Sequence, residues 1–311
     1  MAVRIGTSGW TYPPWRGHFF PQGLPQHAEL TYLAERLPAV EVNGTFYSMT
    51  RPSACRRWRA SVPPDFCFAI KGSRYITHML KLAKFEAPLA NFFASGILHL
   101  GAQLGPILWQ LPPFLSFDLE RADAFFAALP RDVAAAERRA RRHDARTTGR
   151  AVLTAPDGRD RRLRHALEVR HASWLGDAAL ALLRRHGIAF VIADTAGKHP
   201  FALHETADFV YVRLHGSAEL YRSRYGDDEL QEWARRIRRW DAAGKDVYVF
   251  FDNTDKRHAP HDALRLIEAV DRRRHGPRRQ MLPVRLRAAR APRRLPLRGD
   301  ARGKRARGIS R

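Results

Sequence analysis

Residues 165–174 read HALEVRHASW, and the fold turns on how this stretch is read. Leu167 and Val169 alternate with Glu168 and Arg170, the period of two that marks a β-strand. If the strand is covered on both faces, a carboxylate and a guanidinium enter a protein interior. A fold accepts that only where the charges are paired and hydrogen-bonded, or where they line a site.

Seven further runs share the strand character of this one. They are VRIGTS (3–8), VEVNG (40–44), FAIKGS (68–73), ILWQLP (107–112), FVIADT (190–195), VYVRLHG (210–216) and VYVFFDN (247–253). Most are rich in β-branched or aromatic residues and stop at Gly, Pro, Asp or Asn. Helical patterns lie between most of them: 27–37, 53–61 opening with a Ser53 cap, 88–100, and 118–129 from an Asp118 cap. Further on come 177–187 and 227–244, each from an Asp cap to a terminal Gly, and 260–274, which begins with Pro260. Strand–helix alternation implies parallel strands with crossovers, and eight such units in about 270 residues predict an α/β fold, a TIM-type (β/α)8 barrel. A doubly wound sheet is disfavoured, because GTSGW after the first run is not the Gly-rich dinucleotide fingerprint and there is no P-loop. Residues 131–165 read as a basic insertion before the fifth strand, with an added helix in AAAERRARRH.

In a barrel, one face of each strand meets the helices and the other fills the lumen. The unbroken apolar set, such as Leu167/Val169, Val210/Val212/Leu214 and Val247/Val249/Phe251, is assigned to the helices. The opposite row then holds Glu41, Asn43, Lys71, Gln110, Glu168, Arg170, Asp194, Arg213, His215 and Asp252. Nearly all fall in the last half of their strands, the end where barrel enzymes carry their chemistry. Two readings stand for this row: a balanced ion-pair network, or the polar floor of an active site. On the second reading the candidate catalytic residues are Glu41, Lys71, Glu168, His215 and Asp252, with a carboxylate as general acid or base. Asn43, Gln110, Arg170, Asp194, Arg213 and Asn253 would bind substrate, joined by Trp10 and Tyr47 from the aromatic loops at 9–21 and 44–49. Lys71, Arg170 and Arg213 suit a phosphate or carboxylate, so a small anionic ligand is expected. Lys71 is read as an ion-pair partner, or as a Schiff-base amine if desolvated.

Charge is unevenly spread. Of the net +23, residues 272–311 carry +15 and 131–165 carry +6. The body is therefore nearly neutral. The Arg-, Pro- and Gly-rich tail after Asp271 reads as disordered, and would bind polyanions non-specifically if it binds at all. The domain reading is thus a barrel over 1–271 and a basic tail over 272–311. Cys55 and Cys67 are the only cysteines, no apolar run approaches a membrane span, and no secretory leader is evident, so a cytoplasmic protein is expected. No motif implies a cofactor. A divalent metal is a weaker alternative: H-x-H and H-E-x-x-H are absent, and three cations oppose its charge.

The segments IGTSGWTYPPWRGHFFP, VEVNGTFY, FAIKGSRYITHM, GPILWQLPP, LEVRHASW, YVRLHG and VYVFFDNT, in order over residues 3–270, resemble the YecE-like family, domain of unknown function 72. The resemblance implies a TIM-type barrel and no established reaction. It also implies a distant, fold-level likeness to metal-dependent endonuclease and sugar-isomerase barrels. From the polar row, function is expected to be that of a hydrolase or lyase on an anionic substrate. The alternatives are a nucleic-acid-binding protein using the tail, and a metal-dependent phosphodiesterase.

Overall fold

All eight apolar runs become strands in the computed structural model, which describes residues 2–255 and 257–271. They are β1 (Val3–Ser8), β2 (Ala39–Val42), β3 (Cys67–Lys71), β4 (Leu104–Gln110), β5 (His165–Glu168), β6 (Ala189–Asp194), β7 (Phe209–Leu214) and β8 (Asp246–Phe251). They pair in sequence order, every pair parallel, and β8 returns to β1 to close the barrel.

The helices around it are α1 (Glu29–Ala34), α2 (Gly44–Tyr47), α3 (Pro52–Ala60), α4 (Glu86–Ala94), α5 (Leu119–Ala128), α6 (Val133–Ala140), α7 (Asp177–Arg185), α8 (Asp227–Ala242) and α9 (His258–Asp271). The Asp118 carboxylate caps α5, accepting from Arg121 N at 2.9 Å. Other starts differ from the sequence reading. Proline fits the first helical position because the missing N–H has no partner there anyway, so α3 begins at Pro52 and Ser53 is not its cap. Asp177 and Asp227 likewise sit inside the first turn behind Gly176 and Gly226, where a carboxylate still favours the helix dipole. Helix α9 begins at His258, two residues before Pro260. The inserted region does add a helix, α6, which starts at the Asp132 cap. No helix joins β6 to β7 among the described residues. The basic tail, 272–311, lies outside the described residues. No described helix is long and apolar enough to cross a membrane.

Two separate apolar clusters confirm the division of faces. Val40, Val42, Phe68, Ile70, Leu167, Val169, Val210, Val212, Leu214, Val247, Val249 and Phe251 all belong to the layer between barrel and helices. The lumen has its own cluster, in which Phe209, Tyr211, Tyr248 and Phe250 from β7 and β8 fill the space left by Ala39, Ala69, Ala166 and Ala189 opposite. Large residues on one wall are set against alanines on the other, so the two walls fill the lower barrel between them. Arg164 closes it at the N-terminal end, bonded to Tyr248 OH at 3.1 Å and to Asp246 at 2.6 Å, and the functional row of charges lies above it.

Candidate active site

At the C-terminal ends of the strands, the inward row turns polar. Arg213, on β7, is its hub and is fully buried. Its Nε donates to Glu41 Oε2 at 3.0 Å. Its Nη1 donates to Glu168 Oε2 at 2.6 Å and reaches His215 Nε2 at 3.3 Å. Its Nη2 donates to Glu41 Oε1 at 2.8 Å and Asp252 Oδ2 at 2.9 Å, with Ser8 Oγ at 3.3 Å. Five N–H groups thus face six acceptor atoms, and none is left over. Glu41 is equally filled: Ser8 Oγ and Tyr211 OH add bonds of 2.7 Å each to the two from Arg213. Glu168 shares its other oxygen with Arg170, whose Nε and Nη2 both lie 2.9 Å from Oε1.

This closure fixes the protonation states. Burial alone would raise Glu168, but Arg213 and then Arg170 hold it well below the usual carboxylate range. Burial likewise opposes ionisation of Asp252, yet Arg213, then the neighbouring His215, bring it down to about 2. Burial also works against the charge on Arg213, and Glu41, Glu168 and Asp252 outweigh it. An arginine cannot accept, so His215 Nε2 is the acceptor of their contact and the ring hydrogen sits on Nδ1. That atom is 3.0 Å from Asp252 Oδ2, close enough for a charge contact though not aligned as a hydrogen bond.

Lys71, at the end of β3, belongs to the same row but is handled differently. Its ammonium lies 4.4 Å above the Phe46 ring and has no hydrogen-bond or ion-pair partner among the described residues. Burial, then Arg213, lowers it from 10.5 to about 8 against the pull of Glu41, Asp252 and Glu168. Two local features hold it there. Thr45 of α2 donates to the Lys71 carbonyl at 2.7 Å, and the Trp109 ring packs so closely on Gly72 that a side chain there would meet it at 2.3 Å. Around Lys71 the rim carries Arg170 and His78, the latter lowered to about 4 by burial, Arg170, Lys71 and Arg74. His78 sits on a π-helical turn (Tyr75–Met79), an irregularity common at functional sites. Tyr12, raised to about 12 by burial and by Asp252, completes the rim beside Asn43, whose Oδ1 is buried without a partner among the described residues.

The structure therefore brings together Glu41, Lys71, Glu168, Arg170, Arg213, His215 and Asp252, with Gln110 level with Glu168 in the sheet register. Other expected positions differ. Asp194 shares the parity of Phe190 and Ile192, which face the helices, while Ala193 is the residue level with Arg213. Its carboxylate accepts from Tyr225 OH at 3.0 Å, on the far side of the strand end. Asn253 follows Phe251 outward by the same parity, and its amide holds Asp262 of α9 and the Ser223 carbonyl, each at 2.9 Å. Trp10 packs edge-on against Trp58 of α3, at 5.6 Å between ring centroids, rather than over the charges. Tyr47 is 70% exposed and its ring lies 5.9 Å from the Arg74 guanidinium. Arg213, expected to hold an anion, has no free donor left. Ser8 and Tyr211 were not among the expected site residues, and Phe46 was expected only as part of the aromatic wall from the loop at 44–49. The parity rule that found Arg213 also points to Ser8 on β1 and Tyr211 two residues before Arg213. Among the described residues no group of three or more His, Cys, Asp or Glu is arranged to hold a metal, and Glu41 is spent on its four bonds.

The sequence profile of the family described as "Protein of unknown function DUF72" matches residues 4–286. The chain belongs to the DUF72 family. Among curated proteins, this DUF72 protein is 21% identical over 299 residues to UPF0759 protein YunF of Bacillus subtilis, covering 86% of this chain and 95% of that one. It is 28% identical over 110 residues to UPF0759 protein YecE of Escherichia coli, covering 35% and 38%. A crystal structure of a DUF72 family protein from Thermotoga maritima is similar with a TM-score of 0.69 and 25% identity, over 87% of this chain and all of that one. A DUF72 family protein of Enterococcus faecalis shares the fold with a TM-score of 0.64 at 17% identity, over 86% and 95%.

Proposed function

We propose that this DUF72 protein is an enzyme of the hydrolase or lyase type. Its substrate is a small molecule bearing a phosphate or carboxylate, bound at the C-terminal mouth of the barrel. The observation that carries this reading is the unpartnered ammonium of Lys71 beside the partly engaged Arg170. A buried cation without a partner is costly unless a ligand supplies one. Arg170, whose Glu168 contacts use Nε and Nη2, would hold the anion. Glu41, Glu168 and Asp252 are pinned by Arg213, and the low pKa values of Glu168 and Asp252 make them poor proton carriers near neutrality. Lys71, near 8, is matched to that task, and the orphan Asn43 Oδ1 would accept from a substrate donor.

A thermal-shift screen of the full chain against phosphorylated and carboxylated metabolites tests this, at constant ionic strength. A specific ligand raises the melting temperature, and the effect is lost in Arg170→Ala while the unliganded melting temperature stays close to that of the parent. If no anion stabilises the protein beyond a chloride control, the reading fails.

A further inference from the structure

We propose that Lys71 is an amine nucleophile, forming an imine with a small carbonyl compound that carries a carboxylate or phosphate. This deepens the anionic-substrate reading above and rests on it. Three cations occupy the mouth, and only Lys71 can lose its proton, because a guanidinium stays charged. Three carboxylates nearby would ordinarily keep a lysine protonated. Here their charge is already met: Arg213 binds Glu41, Glu168 and Asp252, and Arg170 binds Glu168 again. What reaches Lys71 is a nearly balanced lattice, so burial decides its state, and the amine comes down to about 8. The side chain is not sealed in, since the residue keeps 7% exposure at the strand end. Phe46 covers one side at 4.4 Å, and a ring face favours the ammonium and a protonated imine alike.

The step balances without a redox partner. The neutral Nζ attacks the carbonyl carbon, and a C–N bond forms as the C=O π bond opens. Both amine hydrogens then leave with the carbonyl oxygen as water, giving C=N. The carboxylate or phosphate of the bound molecule faces the guanidinium of Arg170. A protonated imine is an electron sink, which makes the lyase branch of the proposed activity the one this site favours.

The test is reductive trapping on the full chain. Glyoxylate and sodium cyanoborohydride are added at pH 7, and adducts are mapped by mass spectrometry across the 7 lysines of the sequence. Lys71, with its value near 8, is expected to be labelled on the order of 10-fold faster than the exposed Lys81, Lys84 and Lys198. The neutral analogue acetaldehyde should label it more slowly than glyoxylate does. Lys71→Arg keeps the charge and should lose the adduct while retaining stabilisation by glyoxylate. Even labelling of all lysines, or a lagging Lys71, overturns the nucleophile. Stabilisation by anions with no adduct at Lys71 overturns the imine and leaves the anionic-substrate reading intact. Equal labelling by acetaldehyde overturns the anionic substrate class.

Discussion

The floor of the barrel mouth and its rim are built from the same residue types and differ in what is left over. On the floor, the five donors of Arg213 face six acceptor atoms, and Glu41 accepts four bonds. On the rim, the Lys71 ammonium meets only an aromatic face, and Asn43 Oδ1 meets nothing among the described residues. Buried charge by itself thus does not mark the place of chemistry. A saturated lattice is scaffold that also screens its surroundings, and spare bonding capacity beside it is what a ligand can use.

The largest expected effect comes from breaking the floor. Arg213→Met leaves three buried carboxylates without their common partner and should cost about 3–5 kcal/mol of unfolding free energy, read from urea titration. A loss below about 1 kcal/mol would mean the lattice is not a stabilising unit.

Acid should loosen the same floor in a narrower way. Asp252 is depressed from 3.8 to about 2, and Glu168 also lies below its usual value of 4.5. A depressed carboxylate contributes stability above its unfolded pKa and loses it as pH falls through the folded one. Unfolding free energy should therefore be level in these groups' contribution above about pH 5 and fall below about pH 4, with about 2 kcal/mol from Asp252 alone. A decline that sets in between pH 7 and 5 would have another source.

The smallest effect has the opposite sign and belongs to the rim. A lysine lowered from 10.5 to about 8 destabilises the fold while protonated, below the folded pKa. Lys71→Met should therefore stabilise the protein by about 1–2 kcal/mol at pH 7, the gain shrinking as pH climbs through about 8 and all but gone above about 10.5. It should also abolish ligand binding in the same screen. Stabilisation without loss of binding would remove Lys71 from the site.

How far the sequence could be read depended on whether a residue's neighbours lie along the chain or across it. The period of two in LEVRH, YVRLHG and VYVFFDN settled which side chains leave the helices and enter the lumen. Departing from that rule misplaced Asp194 and Asn253, since a polar residue closing an apolar run invites a site reading that its parity contradicts. The seven motifs, in order along the chain, were enough to place it in its family and fold.

What the sequence determined by itself is the barrel, its two faces, and the end at which charge collects, because all three follow from local alternation and from strand–helix order. Which charges are spent and which are free was decided only by closure of the barrel. Arg213 meets Glu41 across 172 residues, Glu168 across 45 and Asp252 across 39. Such distances along the chain carry no periodic signal. The bonding ledger of an ion cluster exists only once eight strands have brought its members to the same height.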